Sequence, residues 1–310
     1  GSRASNGALI ITTKSGSKNA EKTSITFNTN NTFSSVLKLP DFQNEYGQGY
    51  YDAISDDGKS ATYATDYKEN WSWGAPFTGN VQEWGQMING VRQMKPYSAV
   101  ENNVRDFFDT GFATDNNLSL SGGGDKTTFY LALNSLNSNG IYPGKKDEFN
   151  KYGVRFNGTA DLGNKFTAGV SFNFSKIDAN QVGGGQGNAS VYNNVLQSPR
   201  DIDIKGLKDL NNPYNGYGYT NAEGVSFPNS YGYYGAYTQN PYWILDNYNN
   251  YNDVSRVTGN FNIGYKPTSW LDITERLGVD TYTDRRRTES PKYDFVDIDQ
   301  TTEYAGVNRR

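Results

Sequence analysis

The chain has 310 residues and a net charge of −4, with no cysteine and no histidine. Those absences exclude a disulfide framework, a Cys/His zinc site and any His-dependent catalytic constellation within it. The mild acidity leaves no basic footprint for nucleic acid.

Hydrophobic residues make up 35% of the chain, yet 15% is aromatic, and disordered chains are poor in aromatics. A folded protein is therefore expected. Its Tyr, Phe and Val, set among abundant Gly, Asn and Thr, suit strands and turns better than helices. Apolar runs such as Ala8–Ile11 fall far short of the roughly 18 residues of a membrane helix.

Ala8–Thr13, flanked by turn residues, reads as a short buried strand. From Thr23 a period-two rhythm begins: Ile25, Phe27 and Phe33 alternate with Ser24, Thr26, Asn28 and Thr32. It returns six times, at Leu118–Leu120, Phe129–Leu133, 151–162, 166–175, 256–265 and 271–280. In 151–162, Tyr152, Val154, Phe156, Gly158, Ala160 and Leu162 share one face and Lys151, Arg155, Asn157, Thr159 and Asp161 the other.

Three connections are tight, at Gly122–Asp125, Gly163–Lys165 and Lys266–Ser269. The others are long, at about 34–115, 137–150, 178–253 and from 284 onward, with a short helix expected within 94–109. Long and short connections alternate, so an up-and-down sheet would carry every tight turn at one end. The best strands run to roughly 11–13 residues, longer than the usual globular strand.

These features predict an all-β fold: a partial transmembrane antiparallel barrel with short periplasmic turns and long extracellular loops. Phe166, Tyr265 and Tyr152 would belong to its aromatic girdles. A soluble β-sandwich also alternates apolar and polar residues, but it does not explain the loop asymmetry. Glu275 falls on the expected lipid face, which implies either a bulge or a place near an interface.

Two other signals are weak. Gly183–Gly187 and Gly122–Gly124 lack the setting and the Lys-Ser/Thr of a phosphate loop. Asp56-Asp57-Gly58 lacks the ligand spacing of a calcium loop. Neither a metal nor a cofactor is expected.

Ordered motifs add a resemblance. Gly1–Gly16, Tyr46–Tyr50, Asn103–Gly111, Asn116–Tyr130, Tyr152–Phe156, Asn240–Trp243 and Trp270–Asp280 resemble, in order, landmarks of the SusC/RagA family of TonB-dependent outer-membrane transporters. The resemblance implies that 1–16 ends a plug domain. It further implies that 17–310 begins a barrel of the 22-stranded type, about seven strands of it, so that the chain is a fragment.

It also implies TonB-dependent import of an oligosaccharide or peptide across the outer membrane of a Gram-negative, Bacteroidota-like bacterium. The partners would be a SusD-like surface lipoprotein, the TonB complex and outer-membrane lipid, with no enzymatic step. The aromatic loop residues Trp71, Trp73, Trp84, Tyr231, Tyr233, Tyr234 and Trp243 are the substrate-binding candidates. Arg155, Asp161, Arg256, Asp272, Arg276 and Asp280 would face the lumen or plug.

Two alternatives involve no transport. One is a secreted or surface carbohydrate-binding β-module. The other is a glycosidase, which would need paired carboxylates such as Asp201, Asp203 or Asp272.

Overall fold

The structure, a computed structural model, describes residues 14–18, 22–64, 70–88, 90–187, 189–215, 219–220, 226–227, 238–296 and 301–309. The expected strand over Ala8–Thr13 lies outside them.

Eight strands form one antiparallel sheet whose spatial order follows the chain. They are β1 (Ser24–Ser34), β2 (Gly111–Gly123), β3 (Thr127–Asn139), β4 (Glu148–Gly163), β5 (Phe166–Asn180), β6 (Asn249–Thr268), β7 (Leu271–Val296) and β8 (Thr301–Arg309). All seven expected strands are present and β8 adds an eighth.

The tight turns lie at one end, as the alternation of connection lengths requires. The β4–β5 turn shows the local chemistry. Asn164 and Lys165 both have positive φ, 50° and 71°. A two-residue hairpin turn of type I′ needs this, and its twist matches that of the flanking strands.

Register fixes the two faces. Leu118, Leu133, Val154 and Phe174 stand in line across β2 to β5, and Val170 faces Gly158 on one side and Phe261 on the other. On this apolar face Ile25, Phe27, Phe33, Val170, Phe261 and Leu277 are exposed. The opposite face is polar and is covered in part by the chain's own N-terminal residues. Asn157 Nδ2 donates to the carbonyl of Lys14 at 2.6 Å, and Thr128 and Thr159 share a 2.6 Å hydroxyl contact. A Cβ on Gly16 would sit inside contact distance of the Gly122 and Phe129 backbones, so this approach requires glycine.

Two expectations are corrected, and the alternative left open at Glu275 is decided. The segment from 284 onward is not a long loop. β7 runs unbroken to Val296, and its upper part pairs with β8, Arg287 opposite Arg309. The 94–109 stretch forms no α-helix. It begins in a strand, Val91–Pro96, and holds a single 3-10 turn, Arg105–Phe107. Pro96 lacks the N–H a helix interior needs, and Asn102 adopts φ 53°, outside the helical region. Finally, no bulge occurs at Glu275. It stands directly opposite Ile263, and the only β6–β7 irregularity lies between Tyr265 and Thr268. Glu275 therefore shares the apolar face, a few residues from the tight turn.

Among the described residues, the hydrophobic core sits in the loops rather than on the sheet. Trp84, Val104, Phe107, Val191, Val195, Ile202, Ile204, Leu207 and Ile244 are buried there together. These loops also contain two small hairpins, Tyr50–Ile54 with Ala61–Ala64 and Val81–Ile88 with Val91–Pro96. Two short helices complete them, α1 (Val191–Leu196) and α2 (Pro241–Asn247). No helix of the described residues is long and apolar enough to cross a membrane, which leaves strand-based crossing open.

Candidate ligand-binding loop cap

The long connections between β1 and β2 and between β5 and β6 fold against each other into a cap at the loop end of the sheet. Several motifs noted in the sequence are its joints. Asn240 begins α2: its Oδ1 accepts from the backbone N–H of Tyr242 at 3.0 Å, with Pro241 in the first turn where no N–H is needed. Its Nδ2 ties the helix to the carbonyl of Leu207 at 2.9 Å.

Asn103 is buried and bridges the two loops. It donates to the carbonyl of Ile202 at 2.5 Å and accepts from the N–H of Ile204 at 2.9 Å. Phe107 packs edge-on against Phe108 and Tyr242. Within Tyr46–Tyr50, Gly47 and Gly49 hydrogen-bond to the 71–75 strip, and the Tyr97 ring lies where a Gly47 Cβ would be.

The densest joint centres on Asp201. Its Oδ1 accepts from the N–H of Gln48 at 3.0 Å and its Oδ2 from the Trp84 indole at 2.7 Å. Lys95 donates to the Asp201 carbonyl while its ammonium lies 3.4 Å from the centroid of the Trp84 ring. Burial pushes Lys95 down to about 8, opposed by the charges of Asp201 and Asp203. Burial likewise pushes the Tyr242 phenol up to about 12, with Asp109 and Asp203 adding to it.

The aromatic candidates divide. Trp84 is 4% exposed and Trp243 7%, both inside the loop core. Neither indole offers a face to a ligand in this structure. Trp71 and Trp73 are 46% and 72% exposed, and Trp71 is braced edge-on by Tyr50. Tyr231, Tyr233 and Tyr234 lie outside the described residues.

The expected lumen charges lie on the polar face of the sheet. Arg256 and Asp280 form a bidentate pair at 2.9 and 2.7 Å, a geometry that fixes orientation as well as distance. Asp272 pairs with Lys266 at 3.0 Å, and Asp161 caps the β4–β5 turn through the N–H of Gly163. Arg276 stands opposite Asn262. The buried Arg155 Nε makes no hydrogen bond among the described residues.

An antiparallel meander with one exposed apolar face and a folded loop cap has relatives among solved structures. The fold is similar to part of the RagAB peptide importer. Its open-open state matches with a TM-score of 0.59 at 16% identity, over 96% of this chain and 32% of that one. Its closed-closed state matches with 0.53 at 18% identity, over 90% of this chain and 30% of that one. The chain thus spans about a third of the length of the importer chains it matches. It matches no protein-family model and no curated protein.

Sequence reasoning missed the residues that hold the cap together. Lys95 and Arg200 carry no visible signal, and Gln48 enters only as the variable position of Tyr46–Tyr50. The sequence offers Asp201 only as a candidate glycosidase acid, whereas two donors engage its carboxylate and it is 1% exposed.

Proposed function

We propose that the chain is part of a β-barrel transporter of the outer membrane that imports a peptide or oligosaccharide. The observation that carries this reading is the apolar face of the sheet. Ile25, Phe27, Phe33, Val170, Phe261 and Leu277 are exposed in rows, while the opposite face bears Arg155, Asn157, Arg256 and Asp280. A soluble protein rarely leaves so large a contiguous apolar surface to water. Lipid on one side and a water-filled lumen on the other account for both faces.

In this reading the tight turns are periplasmic and the cap is extracellular. Residues 1–16 close a plug, with the backbone of 14–17 laid on the lumen wall. Import is driven through TonB, with a SusD-like lipoprotein over the cap, and involves no covalent chemistry. Exposed Trp71 and Trp73 are the aromatic residues best placed to meet substrate.

Fractionation and uptake test the proposal. The full-length protein should partition with the outer membrane and require detergent. Uptake of short peptides or oligosaccharides should stop when either the protein or TonB is deleted. A product soluble without detergent would refute it.

A further inference from the structure

A cavity of about 340 Å³ opens in the loop cap, lined by residues 39–42, Asn44, residues 101–105 and Arg200. Its size is that of a small-ligand pocket. Asp41, Glu101 and Arg105 stand exposed on its rim, and Phe42 and Leu39 supply an apolar wall.

Arg200 is the unusual member. It is 7% exposed, and burial alone lowers its affinity for the proton, with no acidic neighbour opposing the effect. Its guanidinium lies 5.1 Å from the centre of the Phe42 ring. Nε donates to Asn44 Oδ1 at 3.0 Å, and Nη2 reaches the Val100 carbonyl only at 3.4 Å. Nη1 has no hydrogen bond among the described residues, and Arg200 forms no ion pair among them.

A buried charge is normally paired, because leaving it unpaired carries the full cost of lost hydration. Guanidinium stays protonated, so it cannot escape that cost by neutralising. Arg200 lines the cavity with Nη1 itself covered, so a small turn of the guanidinium would bring that unused donor to an incoming carboxylate.

We propose that this cavity is a carboxylate subsite, with Arg200 as its anchor, for the acidic group of an imported ligand. The source is either the C-terminus or an acidic side chain of a short peptide, or the uronate of an acidic oligosaccharide. The assignment of the ligand as cargo rests on the import reading. The subsite itself does not. Asp41 and Glu101 on the rim disfavour a polyanion and suit a ligand that carries one acid at a time or a cation beside it.

Binding to the full-length protein in detergent tests this with matched probes: trialanine against trialanine amide, and a xylotriose bearing one glucuronosyl group against xylotriose. The wild-type protein should prefer the acid in at least one pair by about tenfold or more, the scale of a charge-assisted hydrogen bond. Arg200→Gln should abolish that preference, and Arg200→Lys should keep part of it.

A preference in the peptide pair alone assigns a peptide ligand, and in the sugar pair alone an acidic glycan. Equal affinity within both pairs would overturn the proposal. So would a preference that persists in Arg200→Gln. The wild-type comparison decides even where a variant fails to fold. Absence of the acid preference in the wild-type protein with intact uptake removes the subsite alone. Loss of uptake with the preference intact removes only the import reading.

Discussion

The indole N–H of Trp84 donates to Oδ2 of Asp201 at 2.7 Å, across 117 positions of sequence. Gln48 shares the same carboxylate from a third point of the chain. One buried acid therefore pins the first long loop to the second.

Removing that acid should loosen the cap. Asp201→Ala leaves two buried N–H groups without an acceptor and Lys95 without its nearest acidic side chain. A destabilisation of about 3–5 kcal/mol is expected. Trp84→Phe, which leaves only one acceptor short, should cost about 1–3 kcal/mol. Hydrogen exchange at Gln48 and along 200–204 would measure both. The double variant should cost less than the sum, because the two residues share one bond.

The cap should also respond to alkaline pH in two opposite limbs. Folded Lys95 releases its proton near 8, whereas its unfolded value is 10.5. Between those values the unfolded state binds more protons, so stability rises with pH, by at most about 3 kcal/mol. Tyr242 behaves inversely. Its folded value is about 12 against 10.0 unfolded, so the folded state holds the extra proton and stability falls as pH climbs past 10. Tyr142, also raised by burial, adds to the falling limb, and Lys146, lowered by burial, to the rising one. The stability of the cap against urea, followed by tryptophan fluorescence from pH 7.5 to 11, should peak near 10. Lys95→Met should flatten the rising limb and Tyr242→Phe the falling one.

The strands were legible in the sequence because each sheet position has a fixed chemical environment, and a period of two repeats it. That signal ends where the environment does. Above Asp280 the chain reads Thr-Tyr-Thr-Asp-Arg-Arg-Arg, polar on both faces, so β7 continues with no alternation to betray it. The cap was illegible for a different reason. Asn44 with Arg200, Gln48 with Asp201 and Asn103 with Ile202 meet across 156, 153 and 99 positions, and no local pattern encodes such pairs. The Asn-Pro-Tyr-Trp motif at 240–243 stands out in the sequence, but its role as a helix cap whose tryptophan packs inward depends on the second loop's fold.

The β4–β5 turn offers a stabilising change. Lys165 holds φ 71°, which costs a side chain with a Cβ roughly 1 kcal/mol and costs glycine little. Lys165→Gly produces the Asn-Gly pair favoured in type I′ turns. The variant also loses the Lys165 ammonium contact to the Pro267 carbonyl, an exposed bond of small worth. A net gain of about 0.5–1 kcal/mol in resistance to urea is expected. A loss would mean that the Pro267 contact outweighs the turn.

The assignment of the two faces stands or falls on a pair of residues three apart in β5. Val170 lies on the apolar face between Gly158 and Phe261, and Thr167 on the polar face between Asp161 and Gly264. If the apolar face meets lipid, Val170→Arg places a guanidinium near mid-membrane and should cost about 2–4 kcal/mol. Thr167→Arg points into an aqueous lumen beside Asp161 and should be much milder. In a soluble sandwich with this face covered, Val170→Arg would instead block association, and the protein would remain soluble without detergent. Folding of the full-length variants into lipid vesicles of one composition, read by heat-modifiable gel mobility and urea titration, compares the two directly. Equal costs would refute the inside-outside parity and with it the lipid-facing reading. Unequal costs in the expected order would leave Glu275, opposite Ile263 near the tight turn, as a charge at the membrane boundary, where replacement by Leu should change stability by about 1 kcal/mol or less.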